Sequence, residues 1–228
     1  MTDIRFLGQA CFELSDGNAR VVIDPFLKPN NPVAPVSADE LDATHVLVTH
    51  GHADHLADAV AVAAKNDAPT VAIVELANWL GEQGIKNTID PSLGGTVEFD
   101  WGWARMVQAF HTNTTPDGTA VGQCAGFVVN LGGKTIYHLG DTCLFGDMKL
   151  IAERTPPVVA LIPIGGHYTM DAEDAAVAAG LIGAPTVIPM HYNSFPVIAA
   201  DAEAFKSDVE SKTSSAVVIL EPGETHTV

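Results

Sequence analysis

Residues 49–55 read Thr49-His50-Gly51-His52-Ala53-Asp54-His55, which places three histidines and an aspartate within six consecutive positions. The run before them, His45–Thr49, has the β-branched character of a strand. The run after them, Asp54–Lys65, is Ala-rich without Gly or Pro and predicts a helix. The cluster therefore occupies a loop at the carboxyl end of a strand, where sites in α/β structures gather. Imidazole and carboxylate together suit zinc, manganese or iron better than calcium. His50 and His52, two apart, can point the same way from extended backbone, whereas Asp54 and His55 turn into the helix and aim elsewhere. One short segment can thus serve two neighbouring metals. The bland alternative is a His-rich surface loop. Four donor side chains at a strand–helix junction, spaced by the small Gly51 and Ala53, speak against it.

Outward from this loop the chain is β-rich, then alternating. Upstream, Ile4–Leu7, Cys11–Leu14 and Arg20–Ile23 are short β-rich runs separated by Gly, Asp and Asn, which predicts an antiparallel meander. A Pro/Asn-rich loop from Pro25 to Pro35 follows. Downstream, Thr70–Val74 predicts a strand and Glu75–Gln83 a helix ending near Gly84. A second β-dense stretch runs from Thr96 to His138, with a turn at Asp117-Gly118 and a hairpin signal at Gly132-Gly133. Alternation then returns: strand Val158–Pro163, helix Asp171–Leu181, strand Thr186–Pro189, helix Asp201–Ser211, strand Ala216–Leu220. Each half is a β-dense part followed by βα units. The order predicts an α/β fold, an αββα sandwich of two mixed sheets flanked by helices, in one domain over residues 1–228.

Composition narrows the function. A chain that is 47% hydrophobic over 228 residues can bury a real core. Twenty-eight acidic residues against 11 basic ones give a net charge of −17, which repels nucleic-acid backbones and anionic membranes. No apolar run approaches the roughly 20 residues of a membrane-spanning helix. The start, Met1-Thr2-Asp3-Ile4-Arg5, carries no secretion signal, so a cytoplasmic location is expected. The three cysteines are too few and too scattered for a disulfide framework. Cys11 and Cys124 lie in apolar stretches and read as core; Cys143, close to Asp141, reads as packing near the site rather than as a nucleophile.

The H-x-H-x-D-H pattern of His50–His55 resembles the signature of the metallo-β-lactamase superfamily. In that family further ligands follow at the ends of later strands, and matching residues stand here in the same order. His111 closes the apolar run Met106–Phe110, Asp141 follows Thr135–Leu139 in His138-Leu139-Gly140-Asp141-Thr142, and His191 follows Val187–Met190. A narrower likeness covers Leu7-Gly8-Gln9-Ala10-Cys11-Phe12, Ile23-Asp24-Pro25-Phe26, Pro163-Ile164-Gly165-Gly166-His167-Tyr168-Thr169-Met170 and Pro189-Met190-His191-Tyr192. These segments resemble the metal-dependent hydrolase branch that includes ascorbate-6-phosphate lactonase-like proteins. One departure is Gln9, where relatives often carry His.

The resemblance implies two divalent metal ions, zinc first, with manganese or iron as alternatives. It puts one on His50, His52 and His111, the other on Asp54, His55 and His191, with Asp141 bridging. A hydroxide shared by the metals would attack an ester, lactone or phosphoester of a small metabolite, and Asp54 would also orient the attacking water. His167, in a Gly-rich loop, is the candidate proton donor to the leaving group; a structural loop histidine is the alternative. The start of the helix near Thr169–Asp171 could receive an anionic substrate group. Asp24 reads either as the hydrogen-bond acceptor that orients a ligand histidine or as a turn residue before Pro25. His45 and His138 read as core or as support behind the ligands, His226 as solvated tail, and Trp101 and Trp103 as a packed strand or hairpin corner. The resemblance also implies a homo-oligomer, a state that nothing in the composition shows.

Two other functions compete: a non-catalytic metal-binding scaffold, and a diiron oxidoreductase on the same fold. The oxidoreductases usually carry Glu where His52 stands, and no flavin-binding domain fits in the remaining length. A scaffold would lack ligands, and none is missing. The expected partner is a small-molecule substrate, without nucleic acid or membrane.

Overall fold

The structure, a computed structural model, describes residues 1–228. The amino-terminal meander forms where the turn residues demand it: β1 (Asp3–Phe6), β2 (Phe12–Ser15) and β3 (Arg20–Ile23) pair antiparallel in chain order. From β3 the pairing becomes parallel through β4 (His45–Leu47), β5 (Thr70–Val71) and β6 (Thr88–Ile89). The second sheet repeats the scheme. β7 (Thr96–Phe99), β8 (Gly102–Gln108), β9 (Ala125–Leu131) and β10 (Lys134–His138) are antiparallel neighbours. β11 (Val159–Pro163), β12 (Thr186–Met190) and β13 (Ala216–Val217) continue in parallel from β10. β14 (Thr225–Thr227) returns to pair with β1, so each sheet has seven strands.

Period-2 alternation fixes which residues face which layer. Phe127, Val129 and Leu131 of β9 join Ile4, Phe12 and Ile23 between the sheets, while Val128 points outward under the carboxyl-terminal helices. Two helices, α2 (Ala59–Asn66) and α3 (Val74–Glu82), bury Val62, Leu76 and Leu80 against the first sheet. α4 (Met148–Arg154), α5 (Ala172–Ile182) and α6 (Ala202–Lys212) bury Met148, Ala175 and Phe205 against the second. The predicted sandwich of two mixed sheets flanked by helices is therefore the observed one. Parallel pairing puts the carboxyl ends of β3, β4, β10, β11 and β12 at one end of the sandwich, where their loops meet.

The structure corrects several local expectations. The helix predicted over 54–65 is two: α1 (Ala53–Leu56) ends before α2 begins. The Asp58 N–H donates to the Pro25 carbonyl instead of continuing the helical ladder, and its carboxylate accepts from Leu27 N at 2.6 Å and Asn30 Nδ2 at 3.0 Å. Asp58 thereby ties the Pro-rich loop to the helix start. The strand predicted over 70–74 stops at Val71, because the N-cap at Ile73 already opens α3. The strand predicted over 216–220 likewise stops at Val217. His226 is no solvated tail: it sits in β14, paired with Ile4. Cys143 is exposed rather than packed, whereas Cys11 and Cys124 are buried.

Candidate metal centre

The ligand loop leaves β4 through Thr49, whose N–H and hydroxyl both donate to Asp24, at 2.8 and 2.7 Å. That hydroxyl has no second proton, so its 2.9 Å contact with His50 Nδ1 requires His50 Nδ1–H to donate, which leaves the Nε2 lone pair facing inward. His52 is the N-cap of α1 in extended conformation and its ring makes no cap bond, so the ring is free to reach the site. Its Nδ1 lies 3.0 Å from His50 Nε2 and 3.2 Å from His111 Nε2. Gly51 N–H donates to Asn113 Oδ1 at 2.7 Å, and Asn113 Nδ2 donates to the Val121 and Gln123 carbonyls. This buried asparagine pins the loop to the chain beyond His111.

Asp54 and His55 stand in the first turn of α1 and point to a second set of atoms. His55 Nδ1 donates to Asp24 Oδ2 at 2.8 Å, which fixes the ring and presents Nε2. Asp54 Oδ2 lies 3.4 Å from His191 Nε2 and 3.6 Å from His55 Nε2, and accepts from Gln9 Nε2 at 2.8 Å. Gln9, Asp24 and His191 all have left-handed backbone, with φ of 58°, 50° and 55°. Non-glycine residues seldom adopt it, and such strain gathers at functional sites. His191 N–H donates to the Gln9 carbonyl at 2.7 Å, joining the ends of the two sheets across the site.

Asp141 lies between the two sets. Its Oδ2 is 3.1 Å from His191 Nε2, 3.3 Å from His55 Nε2, 3.6 Å from His111 Nε2 and 3.8 Å from His50 Nε2. Gly140 makes the approach possible: its φ is +65°, and a Cβ there would run into the Ala125 carbonyl oxygen. His138, which the sequence leaves between core and support, is buried and serves as support. Its Nε2 donates to the Ala10 carbonyl at 2.9 Å and its Nδ1 accepts from Gly140 N at 3.1 Å. It links the loops that carry Gln9 and Asp141, and burial holds its pKa down, in keeping with a neutral ring.

Three triads bring their donor atoms within 4.8 Å of one another: His50, His52 and His111; Asp54, His55 and His191; and His50, His55 and Asp141. The polar accounting fits metal. His55 Nε2, His191 Nε2 and Asp141 Oδ1 are buried without hydrogen-bond partners, an arrangement that is costly unless something else satisfies it. The charges fit too. Burial works to lower His55 and His191, but Asp141 beside them outweighs it; His55 is held well above the usual range and His191 rises to about 9. Burial would raise Asp141, but His191 and His55 hold it well below the carboxylate range. His50, buried and facing His55, is pushed well down. A cation entering this set would displace protons from His55 and His191.

All seven residues that the sequence nominates as ligands, His50, His52, Asp54, His55, His111, Asp141 and His191, converge. His167 does not join them. It is exposed, its φ is 53°, and its ring sits edge-on against Tyr168 at 4.5 Å. The left-handed backbone turns the loop so that Tyr168, not His167, faces the cavity. That cavity, about 740 Å³, is walled by Phe26, Phe195, Val197, Ile198 and Tyr168 and has Asp54, Asp141 and His191 in its lining. Sequence reasoning missed Gln9 and Asn113 as working parts. Gln9 was marked only as a departure from relatives, with no role attached, and Asn113 only by its position two residues after His111.

Comparison with known proteins finds relatives along nearly the whole chain. The family described as "Beta-lactamase superfamily domain" matches residues 3–191. The UPF0173 metal-dependent hydrolase STH3160 of Symbiobacterium thermophilum is 46% identical over 228 residues, covering 99% of each chain. The UPF0173 metal-dependent hydrolase TTHA1283 of Thermus thermophilus is 45% identical, with 98% of each chain covered. Among solved structures, Igni18, a metallo hydrolase from Ignicoccus hospitalis, superposes with a TM-score of 0.89 at 34% identity, over 99% of this chain and 97% of that one. The chain thus belongs to the beta-lactamase superfamily, among its metal-dependent hydrolases.

Proposed function

We propose that the chain is a dinuclear metal-dependent hydrolase of uncharged carboxylic esters or lactones with an apolar arm. The observation that carries the dinuclear reading is the position of Asp141 Oδ2, within 3.1–3.8 Å of four histidine nitrogens drawn from both three-residue sets. His50, His52 and His111 would hold one ion, Asp54, His55 and His191 the other, and Asp141 would serve both. Bound there, such a pair supplies a nucleophilic water of lowered pKa and Lewis acidity toward the carbonyl oxygen.

The chain's own residues supply the rest. Burial favours the neutral form of Asp54, but His55 and His191 outweigh it and keep the carboxylate ionised. With Oδ2 engaged by Gln9, Oδ1 is the atom left to accept a proton from the attacking water and pass it to the leaving oxygen. Phe26, Phe195, Val197 and Ile198 exclude solvent and offer apolar surface to the substrate. No Lys or Arg lines the cavity, so beyond the metals and their histidines a phosphate group on the substrate would find no guanidinium or ammonium partner. This favours a lactone or ester without phosphate over the phosphoesters and the ascorbate-6-phosphate type of lactone.

The test is a rate comparison on metal-loaded protein. A p-nitrophenyl carboxylic ester and a γ-lactone should be turned over with kcat/KM at least about tenfold above p-nitrophenyl phosphate, a difference of about 1.4 kcal/mol. A preference for the phosphate would overturn the substrate class while leaving the metal centre standing.

A further inference from the structure

Only four arginines occur in this acidic chain. Arg5 and Arg20 share Glu13, at 3.3 and 2.9 Å. The other two, Arg105 and Arg154, form no ion pair, and both line one cleft of about 360 Å³. The cleft lies on the outer face of the second sheet and shares no lining residue with the cavity at the metal centre. Arg105 is on β8, flanked on the same strand face by Trp103 and Val107, which pack under the carboxyl-terminal helices. Arg154 ends α4. The remaining wall is largely apolar, with Leu93, Val107, Leu150 and Ile151, and Leu150 is 60% exposed.

Arg105 Nε is buried and has no hydrogen-bond partner. Orphaned buried donors are rare, and this one belongs to a group that is always charged. Arg154 at a helix carboxyl end gains something from the helix dipole, but that does not satisfy Arg105. Asp147 also lines the cleft, yet it forms no ion pair with either arginine. With a net charge of −17, a cleft holding two guanidinium groups and one carboxylate is a local reversal of sign. Guanidinium binds oxyanions through paired N–H donors.

We propose that this cleft is a second binding site, for a small molecule with an oxyanion head and an apolar body. The head is held between Arg105 and Arg154, and the body lies against Leu93, Leu150 and Ile151. The site is independent of the hydrolytic centre, although β8 leads directly from Arg105 toward His111.

Residue-resolved NMR with hexanoate tests this, with hexanol as the uncharged control. Hexanoate should shift the amides of Gly94, Gln108 and Ile151 saturably; hexanol should not. Amides of Gly51 to His55 report separately on any carboxylate that enters the metal centre. Arg154→Gln changes only an exposed helix end and should weaken the shifts at the cleft by about tenfold, the size of one lost charge-assisted hydrogen bond. Arg105→Gln should abolish them. The inference is overturned if no saturable shift appears at the cleft, if hexanol shifts the same amides as strongly, or if Arg154→Gln leaves the response unchanged.

Discussion

Asp24 and Asp141 follow corresponding strands and do opposite work. β3 and β10 are the strands at which each sheet changes from antiparallel to parallel pairing. The registers align Ile23 with Leu47 and His138 with Leu161, and the next residue in each case, Asp24 or Leu139, donates its N–H to that same partner's carbonyl. Asp24 therefore occupies the place of Leu139, and Asp141 lies two residues further out. From the strand end, Asp24 sits behind the histidines, with Thr49 N, Thr49 Oγ1 and His55 Nδ1 all bonded to it. From two residues beyond, Asp141 faces four histidine nitrogens and keeps one oxygen buried without a partner. The satisfied carboxylate positions a ring, and the unsatisfied one is the proposed metal-bridging residue. Two residues of reach separate these roles.

The contrast can be broken by substitution. Asp141→Asn should have the largest effect. Metal content should fall below about one ion per chain, and activity should drop by more than the roughly 100-fold that marks the upper end for outer partners of a ligand. Elemental analysis and initial rates on the same preparation read both. Asp24→Asn should cost less, within roughly 10–100-fold in metal affinity or rate, because the Nδ1 partner of His55 is weakened but no ligand is lost. Equal losses in the two variants would mean that Asp24 is no mere support.

A smaller effect separates the metal-free protein from the loaded one. In the metal-free protein His191 has a pKa of about 9, raised above its ordinary 6.5 chiefly by Asp141 against the pull of burial. A raised histidine contributes stability that is complete below its unfolded pKa and disappears as pH rises through its folded one. The melting temperature of chelator-treated protein should therefore fall between pH 6.5 and 9, by about 2–4 °C per kcal/mol lost. Metal-loaded protein should fall less, because metal has replaced that proton. Parallel slopes would show that His191 does not hold the ion.

The smallest effect concerns the loop after β11, the counterpart of the ligand loop after β4. His167→Ala should alter kcat/KM by less than about twofold, within the ordinary range for exposed residues. A large loss of kcat on esters with poor leaving groups would restore its donor role.

What could be read in the sequence follows from where information is local. The ligand loop was legible because His50 to His55 are contiguous and stand between a strand pattern and a helix pattern. His111, Asp141 and His191 needed the order of the strands, and the resemblance supplied it. The break at Asp58 was illegible because its cause, the Pro25 carbonyl, lies 33 residues earlier in the chain. β6 and β14 have two and three residues, too few to show a period. That His167 stands outside the cavity lining could not be read, because a left-handed φ leaves no mark on a non-glycine residue. Gln9 was seen as a departure from relatives, yet its amide reaches Asp54, 45 residues later, only because the loops after β1 and β4 meet at the same end of the first sheet.

The most direct test is a metal titration of metal-depleted protein, followed by calorimetry and elemental analysis, on the wild type and on Asp141→Asn. The expected result is about two ions per wild-type chain, with proton release on binding, and fewer than one in the variant. A single ion in the wild type, or two that persist in Asp141→Asn, would contradict the assignment of Asp141 as the residue shared by both.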